Sequence, residues 1–69
     1  METTKQIKIA ADIIWIRLNV NNGEMLIRKL RNLMRMKKPL FNQAVGWLAN
    51  EGTISMKKDG WGEKIKLIN

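Results

Sequence analysis

The sequence lacks the side chains that most enzyme active sites use. Its 69 residues include no cysteine, no histidine and no tyrosine, and the only serine is Ser55. Without cysteine the chain forms no disulfide and no zinc ribbon, which fits a cytoplasmic protein. The six carboxylates are scattered rather than paired at helical spacing, and no glycine-rich loop precedes a helix. We therefore expect a protein that is not an enzyme, with no catalytic residues, no metal site and no cofactor.

Long apolar segments are also missing. Apolar residues make up 45% of the chain, but no segment approaches the roughly 20 consecutive apolar residues that span a bilayer. The first nine residues are polar and charged where an apolar secretory segment would begin. The sequence therefore predicts a single soluble domain over residues 1–69, with a small core and no membrane span.

Acidic residues are scarce relative to basic ones. Thirteen Lys and Arg against six Asp and Glu give a formal net charge of +7. Both halves of the chain are basic, so the charge belongs to the whole domain and not to a tail. An excess of this size favours a polyanionic partner, either nucleic acid or an anionic membrane surface. Membrane binding is the weaker interpretation, because the most apolar helix lacks a strongly cationic face.

The first third of the chain has the periodicity of a helix. Thr3 and Gln6 have the spacing of a capping box, and the residues Asn21-Asn22-Gly23 tolerate the left-handed backbone that ends helices. We expect the first helix to extend to about Asn19. Its core face repeats at steps of three and four residues and comprises Ile7, Ala10, Ala11, Ile14 and Leu18.

A second apolar stripe lies on the opposite side of the same helix. Its members are Ile9, Ile13, Ile16 and Val20. A helix that is apolar on two sides has to be covered on two sides. Two coverings fit the sequence equally well: the terminal strands of the domain, or a second copy of the chain. In the second case the four residues form a homodimer interface.

Two shorter helices and a hairpin follow. The second helix is expected from Ile27 to Arg35, after an extended stretch at 24–26. The third begins at Pro39 and ends at Gly52. From residue 53 onward apolar and polar residues alternate on both sides of a turn at 59–62, which predicts a hairpin with one buried face and one basic face. This order of elements predicts an α+β winged helix-turn-helix domain, with three helices followed by a two-stranded wing.

Particular residues add a family resemblance to this interpretation. They are Ile14-Trp15, Leu18, Asn22-Gly23, Ala44-Val45-Gly46-Trp47-Leu48-Ala49, Glu51-Gly52 and Ile54. In this combination the chain resembles, over nearly its whole length, a family of very small bacterial and archaeal winged helix-turn-helix proteins of uncharacterised function. The resemblance implies the fold and DNA binding of the kind found in that superfamily. The chain departs from the family pattern at Leu26, where a small polar cap is common, and at Asn50, where a basic residue is common.

Three groups of residues are candidates for contacts with nucleic acid. The first group is cationic and lies on the second helix and the turn after it: Arg28, Arg31, Arg35, Lys37 and Lys38. The second lies on the hairpin, with an aromatic residue at its tip: Lys57, Lys58, Trp61 and Lys64. The third lies on the outward side of the third helix: Asn42, Gln43 and Asn50.

Each group also has an ordinary structural explanation. The arginines also fit a solvated helix face, and the hairpin lysines also protect an exposed strand edge, with Trp61 folding back onto the domain. The third helix has no cation on its outward side, so the bidentate contact to guanine is unavailable there. Trp47, on a third side of this helix, is interpreted as a core residue that closes the domain.

Two classes of function follow from these observations. The leading hypothesis is a dimeric protein that binds double-stranded DNA, mainly through phosphates and with modest specificity, such as a transcriptional regulator. The alternative is a homodimeric protein-interaction module that keeps the fold without a nucleic-acid role. RNA binding is a third hypothesis, because it uses the same basic surfaces. The sequence suggests no small-molecule ligand.

Overall fold

The domain consists of three helices and three strands. The computed structural model describes residues 3–60 and 62–68, apart from the side chain of residue 59. In chain order the elements are α1 (Thr4–Val20), β1 (Glu24–Leu26), α2 (Ile27–Met34), α3 (Lys38–Asn50), β2 (Ile54–Asp59) and β3 (Gly62–Leu67). This order agrees with the predicted α+β winged helix-turn-helix architecture.

Helix α1 begins and ends at the predicted signals. The backbone N–H of Gln6 donates to Oγ1 of Thr3 at 3.1 Å, and the backbone N–H of Thr3 donates to Oε1 of Gln6 at 2.9 Å. Both halves of the capping box are therefore formed. At the other end Asn22 and Gly23 have positive φ angles of 65° and 87°, and the Gly23 N–H donates to the Leu18 carbonyl at 2.7 Å. This tight turn leads directly into β1.

The sheet contains one strand more than the predicted hairpin. β1 pairs with β3 on the side away from β2, so the strand order is β1-β3-β2 and both pairings are antiparallel. Met25 and Met56 lie on either side of Ile65, which is fully buried. An isolated two-stranded hairpin is marginally stable in water, and a third strand with an apolar face stabilises it. Sequence analysis predicts the extended stretch at 24–26 but not its partner strand.

The core lies between the inner face of the sheet and the three helices. Its largest fully buried side chains come from all three helices and from β3: Ile14, Leu18, Leu30, Phe41 and Ile65. Every residue classed as buried in the described part of the chain is apolar. Burial of apolar surface, rather than a polar network, therefore stabilises the core.

A short turn joins α2 to α3. α2 ends one residue earlier than predicted because Arg35 has a left-handed backbone conformation with φ of 52°. The Arg35 N–H nevertheless donates to the Arg31 carbonyl at 3.2 Å and closes the last turn of α2. Pro39 is the second residue of α3, one position later than predicted, and there too its missing N–H removes no helical hydrogen bond. Gly52, with φ of 72°, follows the end of α3 as predicted.

Candidate nucleic-acid interface

One contact, between Arg31 and Phe41, brings a basic residue of α2 next to α3. The guanidinium carbon of Arg31 lies 5.9 Å from the centre of the Phe41 ring, within the range of a cation–π interaction. Phe41 is fully buried and lies in the first turn of α3. The Arg31 side chain therefore lies beside the beginning of α3.

Arg31 differs from its two neighbours in the predicted arginine stripe. Arg28 and Arg35 are exposed, whereas Arg31 is half-buried. Its Nε atom is the only buried side-chain nitrogen or oxygen without a hydrogen-bond partner within residues 3–60 and 62–68. The two terminal nitrogens of Arg31 are not among the buried atoms without a partner. No carboxylate of the described chain forms an ion pair with them. Exposure of Arg28 and Arg35 fits both a solvated face and phosphate contacts, whereas the stem of Arg31 is not solvated.

Two lysines extend this positive charge to the N-terminus of α3. Lys37 is the N-cap residue and Lys38 is the first helical residue, and both are exposed. No side chain caps this end of the helix, and its first turn contains no acidic residue. Unpaired backbone N–H groups and the helix dipole favour anions at such a terminus. Lys37 and Lys38 therefore place positive charge at the beginning of α3, where Arg31 of α2 also lies.

The outward side of α3 is polar, uncharged and open. Asn42, Gln43 and Asn50 are all exposed, as the helical periodicity predicts. Gly46 is exposed between them, and a Cβ atom built at Gly46 would meet no heavy atom within 4 Å. Packing within the described domain therefore does not require a glycine in the middle of α3.

The structure describes Trp47 but not Trp61. Trp47 is half-buried and packs against the core, as predicted. Together with Asn50 and Glu51 it lines a shallow hollow of about 190 Å³. Trp61 lies outside the described residues, so its position at the tip of the wing stays a prediction.

The register of the sheet sorts the wing lysines onto two faces. Lys57 lies directly opposite Lys64, and Lys66 lies two residues farther along β3. With Glu24 and Ser55 these three lysines line a hollow of about 390 Å³ on the outer face of the sheet. Lys58 belongs to the other face, opposite Glu63. The sequence predicts a basic outer face but does not predict Glu24 on it. Glu24 reaches that face because β1 pairs with β3.

The second apolar stripe of α1 remains open to solvent. Its residues Ile9, Ile13, Ile16 and Val20 have exposed fractions of 51%, 41%, 55% and 74%. The hypothesis that the terminal strands cover this stripe is therefore wrong, because the apolar face of the sheet packs into the core on the other side of α1. Beside the stripe is an apolar hollow of about 210 Å³, lined by Gln6, Ile9, Ala10, Ile13, Met36 and Leu40.

Neither a cluster of three metal-ligating side chains nor a membrane-spanning helix is present in the described part of the chain. No group of three or more His, Cys, Asp or Glu side chains there is arranged to hold a metal ion. No helix in the same ranges is long and apolar enough to cross a membrane. The described surface is therefore characterised by its cations, its amides and the apolar stripe of α1.

Comparison with known proteins supports the same architecture. A family model described as a winged helix-turn-helix domain (DUF2582) matches residues 1–67, which is nearly the whole sequence. No curated protein and no solved structure matches the chain significantly. The winged helix is a fold that DNA-binding proteins use, with a recognition helix and a β-wing as its usual contact elements. The breadth of the family match, together with the observed order of helices and strands, shows that this chain belongs to the DUF2582 family of winged helix-turn-helix domains.

Proposed function

We propose that this domain binds double-stranded DNA, mainly through phosphate contacts and with modest sequence specificity. The observation that carries the proposal is the contact between Arg31 and Phe41, which places a cation of α2 beside the beginning of α3. In helix-turn-helix domains the second helix of the pair lies in the major groove while the first crosses the DNA backbone. α2 and α3 correspond to these two helices in order along the chain.

The cations around the α2–α3 turn supply the phosphate contacts in this proposal. Arg28 and Arg35 are exposed, as are Lys37 and Lys38 at the N-terminus of α3. Guanidinium groups bind phosphate oxygens through two parallel hydrogen bonds. Arg31 lies over the Phe41 ring and has no carboxylate partner in the described chain, so its accessible terminal nitrogens are suited to a phosphate.

The outward side of α3 supports modest rather than strong specificity. The amides of Asn42 and Gln43 have the donor and acceptor pair that matches the edge of adenine in the major groove. Neither Arg nor Lys lies among the outward residues in the middle of this helix, so a bidentate contact to guanine is missing there. Asn50, toward the end of the helix, adds a further amide.

The outer face of the wing supports backbone binding from a second direction. Lys57, Lys64 and Lys66 gather on this face, and among the described residues that line the hollow there the only carboxylate is that of Glu24. Its net positive charge attracts a phosphate backbone without distinguishing base sequence. A domain that binds DNA with this wing would use the outer-face lysines more than Lys58, which lies on the opposite face.

Affinity measured against salt concentration tests the proposal. Fluorescence anisotropy with a labelled duplex of mixed sequence should show binding at low salt that weakens as salt rises. About five phosphate contacts correspond to a slope of roughly −4.5 in log K against log salt. Absence of binding at low salt, or an affinity independent of salt, would contradict the proposal.

A competition experiment separates DNA from RNA. Unlabelled DNA duplex, RNA duplex and single strands of the same sequence are added to the preformed complex. We expect the DNA duplex to compete best, because α3 fits the major groove of B-form DNA, whereas the major groove of A-form RNA is too narrow for side chains to read. Stronger competition by RNA would replace DNA with RNA as the ligand.

The exposed stripe of α1 favours a second candidate function, that of a protein-interaction module. Four apolar side chains together on one helix face are unusual on the surface of a monomer. A tagged domain that captures one defined protein after nuclease treatment, and fails to bind duplex at low salt, would support this alternative. Capture that disappears with nuclease would support nucleic-acid binding.

A further inference from the structure

The exposed stripe of α1 has a symmetric spacing. Its residues Ile9, Ile13, Ile16 and Val20 are separated by four, three and four positions. This is the a/d spacing of a helix that packs along a second helix. Because the order of the steps is the same in both directions, the stripe matches a reversed copy of itself.

We propose that a second copy of the chain covers this stripe, with the two α1 helices antiparallel about a two-fold axis between residues 14 and 15. In this register Ile9 meets Val20 of the second copy, and Ile13 meets Ile16. Each of these pairs joins an a-type position of one helix to a d-type position of the other. The two-fold axis repeats both pairs, so the contact contains four pairs of residues. A two-fold contact of this kind uses the same patch on both copies.

The hollow beside the stripe has an occupant in this arrangement. Its walls include Ile9 and Leu40, and Val20 of the second copy lies level with Ile9. Val20 is the most exposed residue of the stripe, at 74%. Eleven residues of helix, about 16 Å, separate Ile9 from Val20 in one chain, so no chain can fill its own hollow with its own Val20. Two copies related by the axis fill both hollows.

The charges beside the stripe are compatible with this register. Asp12 lies on one flank of the stripe, and in the antiparallel arrangement its neighbour across the contact is Asn19 of the second copy. No two carboxylates are therefore brought together on that flank. A membrane surface is a poorer occupant of the stripe, because interfacial helices need a strongly cationic face beside the apolar one. In α1 the residues beside the stripe include Asp12 and Asn19, which are not cationic.

The size of the contact predicts a dissociable dimer. A helix of 17 residues is about 25 Å long and, with its side chains, about 10–12 Å wide. The footprint is then roughly 300 Å² on each copy, about 600 Å² in total, which is below the size of stable, specific interfaces. We therefore expect a weak monomer–dimer equilibrium that shifts between micromolar and millimolar concentrations, independent of any DNA.

Sedimentation of the full chain over a wide concentration range tests the association. We expect wild type to shift from monomer toward dimer between about 10 μM and 1 mM, and Ile13→Glu and Ile16→Glu to weaken the dimer at least tenfold. Lys8→Gln is the matched control, since it changes the charge by the same one unit on α1 but outside the stripe. Circular dichroism checks that each variant is folded. A monomer at 1 mM, or a dimer unaffected by both glutamates, would overturn the proposal.

Cross-linking tests the register, and the natural absence of cysteine makes it direct. Ile9→Cys and Val20→Cys are prepared separately, mixed, and treated with a short thiol cross-linker. The antiparallel register predicts a rapid Ile9–Val20 product and little Ile9–Ile9 product, because the two copies of residue 9 are about 16 Å apart along the axis. A predominant Ile9–Ile9 product would show a parallel contact and overturn the register. Monomeric protein that binds anionic vesicles would identify a membrane as the occupant instead.

Discussion

Helices α1 and α3 bury similar faces but expose different ones. α1 buries Ala10, Ala11, Ile14 and Leu18, and α3 buries Phe41, Ala44, Val45 and Leu48. The outward side of α1 carries the four residues of the apolar stripe, whereas the outward side of α3 carries amides around a glycine. The buried faces account for the fold, and the contrast between the outward faces is the basis for proposing two different partners. An apolar face suits another protein surface, and a polar face suits a hydrated groove.

The largest effect is expected on the free energy of unfolding, when a residue on the buried face of α1 is compared with one on its exposed face. Ile14 is fully buried and Ile13 is 41% exposed, although they are adjacent in sequence. Ile14→Ala should lower the free energy of unfolding by about 2–5 kcal/mol because it leaves a cavity in the core. Ile13→Ala should lower it by less than about 1 kcal/mol at concentrations where the protein is monomeric. Urea unfolding followed by circular dichroism measures both.

That pair of variants can also contradict the comparison. A loss above about 2 kcal/mol for Ile13→Ala in the monomer would mean that the chain itself covers the apolar stripe. The contact with a second copy would then have no surface to use.

The same reversal of charge is expected to weaken DNA binding more when it is made on α2 than when it is made on α1. Arg28→Glu should weaken binding to every duplex by about tenfold or more, because it replaces a phosphate contact with a repulsive charge. Arg31→Glu should act in the same direction and also lower stability, since it removes the contact with Phe41. The matched control is Lys8→Glu, an identical change of charge on α1. Equal losses for Arg28→Glu and Lys8→Glu would show that only net charge matters.

A smaller effect is expected at the glycine on the outward side of α3. Gly46→Ala should raise the free energy of unfolding by up to about 1 kcal/mol, because the added Cβ atom meets no neighbour. If DNA lies close to α3, the same substitution should reduce affinity several-fold despite the added stability. Ala49→Gly, at another exposed position of α3, is the control for stability alone. Unchanged affinity in Gly46→Ala would remove the middle of α3 from the interface.

The smallest effect is expected within the wing, where adjacent lysines lie on opposite faces. Lys57→Gln should reduce the salt slope of binding by about one, the loss of one phosphate contact. Lys58→Gln should leave the slope nearly unchanged, because Lys58 lies opposite Glu63 on the other face. Anisotropy titrations at three or more salt concentrations measure both slopes. The reverse order would place the opposite face of the wing against the DNA.

Local signals explain why the helices were predictable from the sequence. The capping box at Thr3 and Gln6, the left-handed turn at Asn22 and Gly23, and the change from helical to alternating periodicity all act within a few residues. The structure has α1 and α3 within one or two residues of the predicted limits. The left-handed backbone of Arg35 ends α2 one residue earlier than predicted. The sequence does not predict this end, because a left-handed arginine has no reliable signal in sequence.

Long-range contacts explain what the sequence did not predict. The pairing of β1 with β3 joins residues about 40 positions apart, and three residues carry too little pattern to specify a partner. The burial of Arg31 depends on the position of Phe41 in another helix. The exposure of the α1 stripe likewise depends on which side of α1 the sheet occupies, and periodicity within α1 cannot determine that side.

The position of β3 in the sheet has a consequence for folding. β3 is the central strand although it is the last in sequence, and it contributes the fully buried Ile65. β1 and β2 do not pair with each other, so neither has a partner strand until β3 has been synthesised. During translation the helices can form early, but the sheet and the completed core must form together at the end. Substitutions in β3 should therefore affect the folding of the whole domain rather than that of the wing alone.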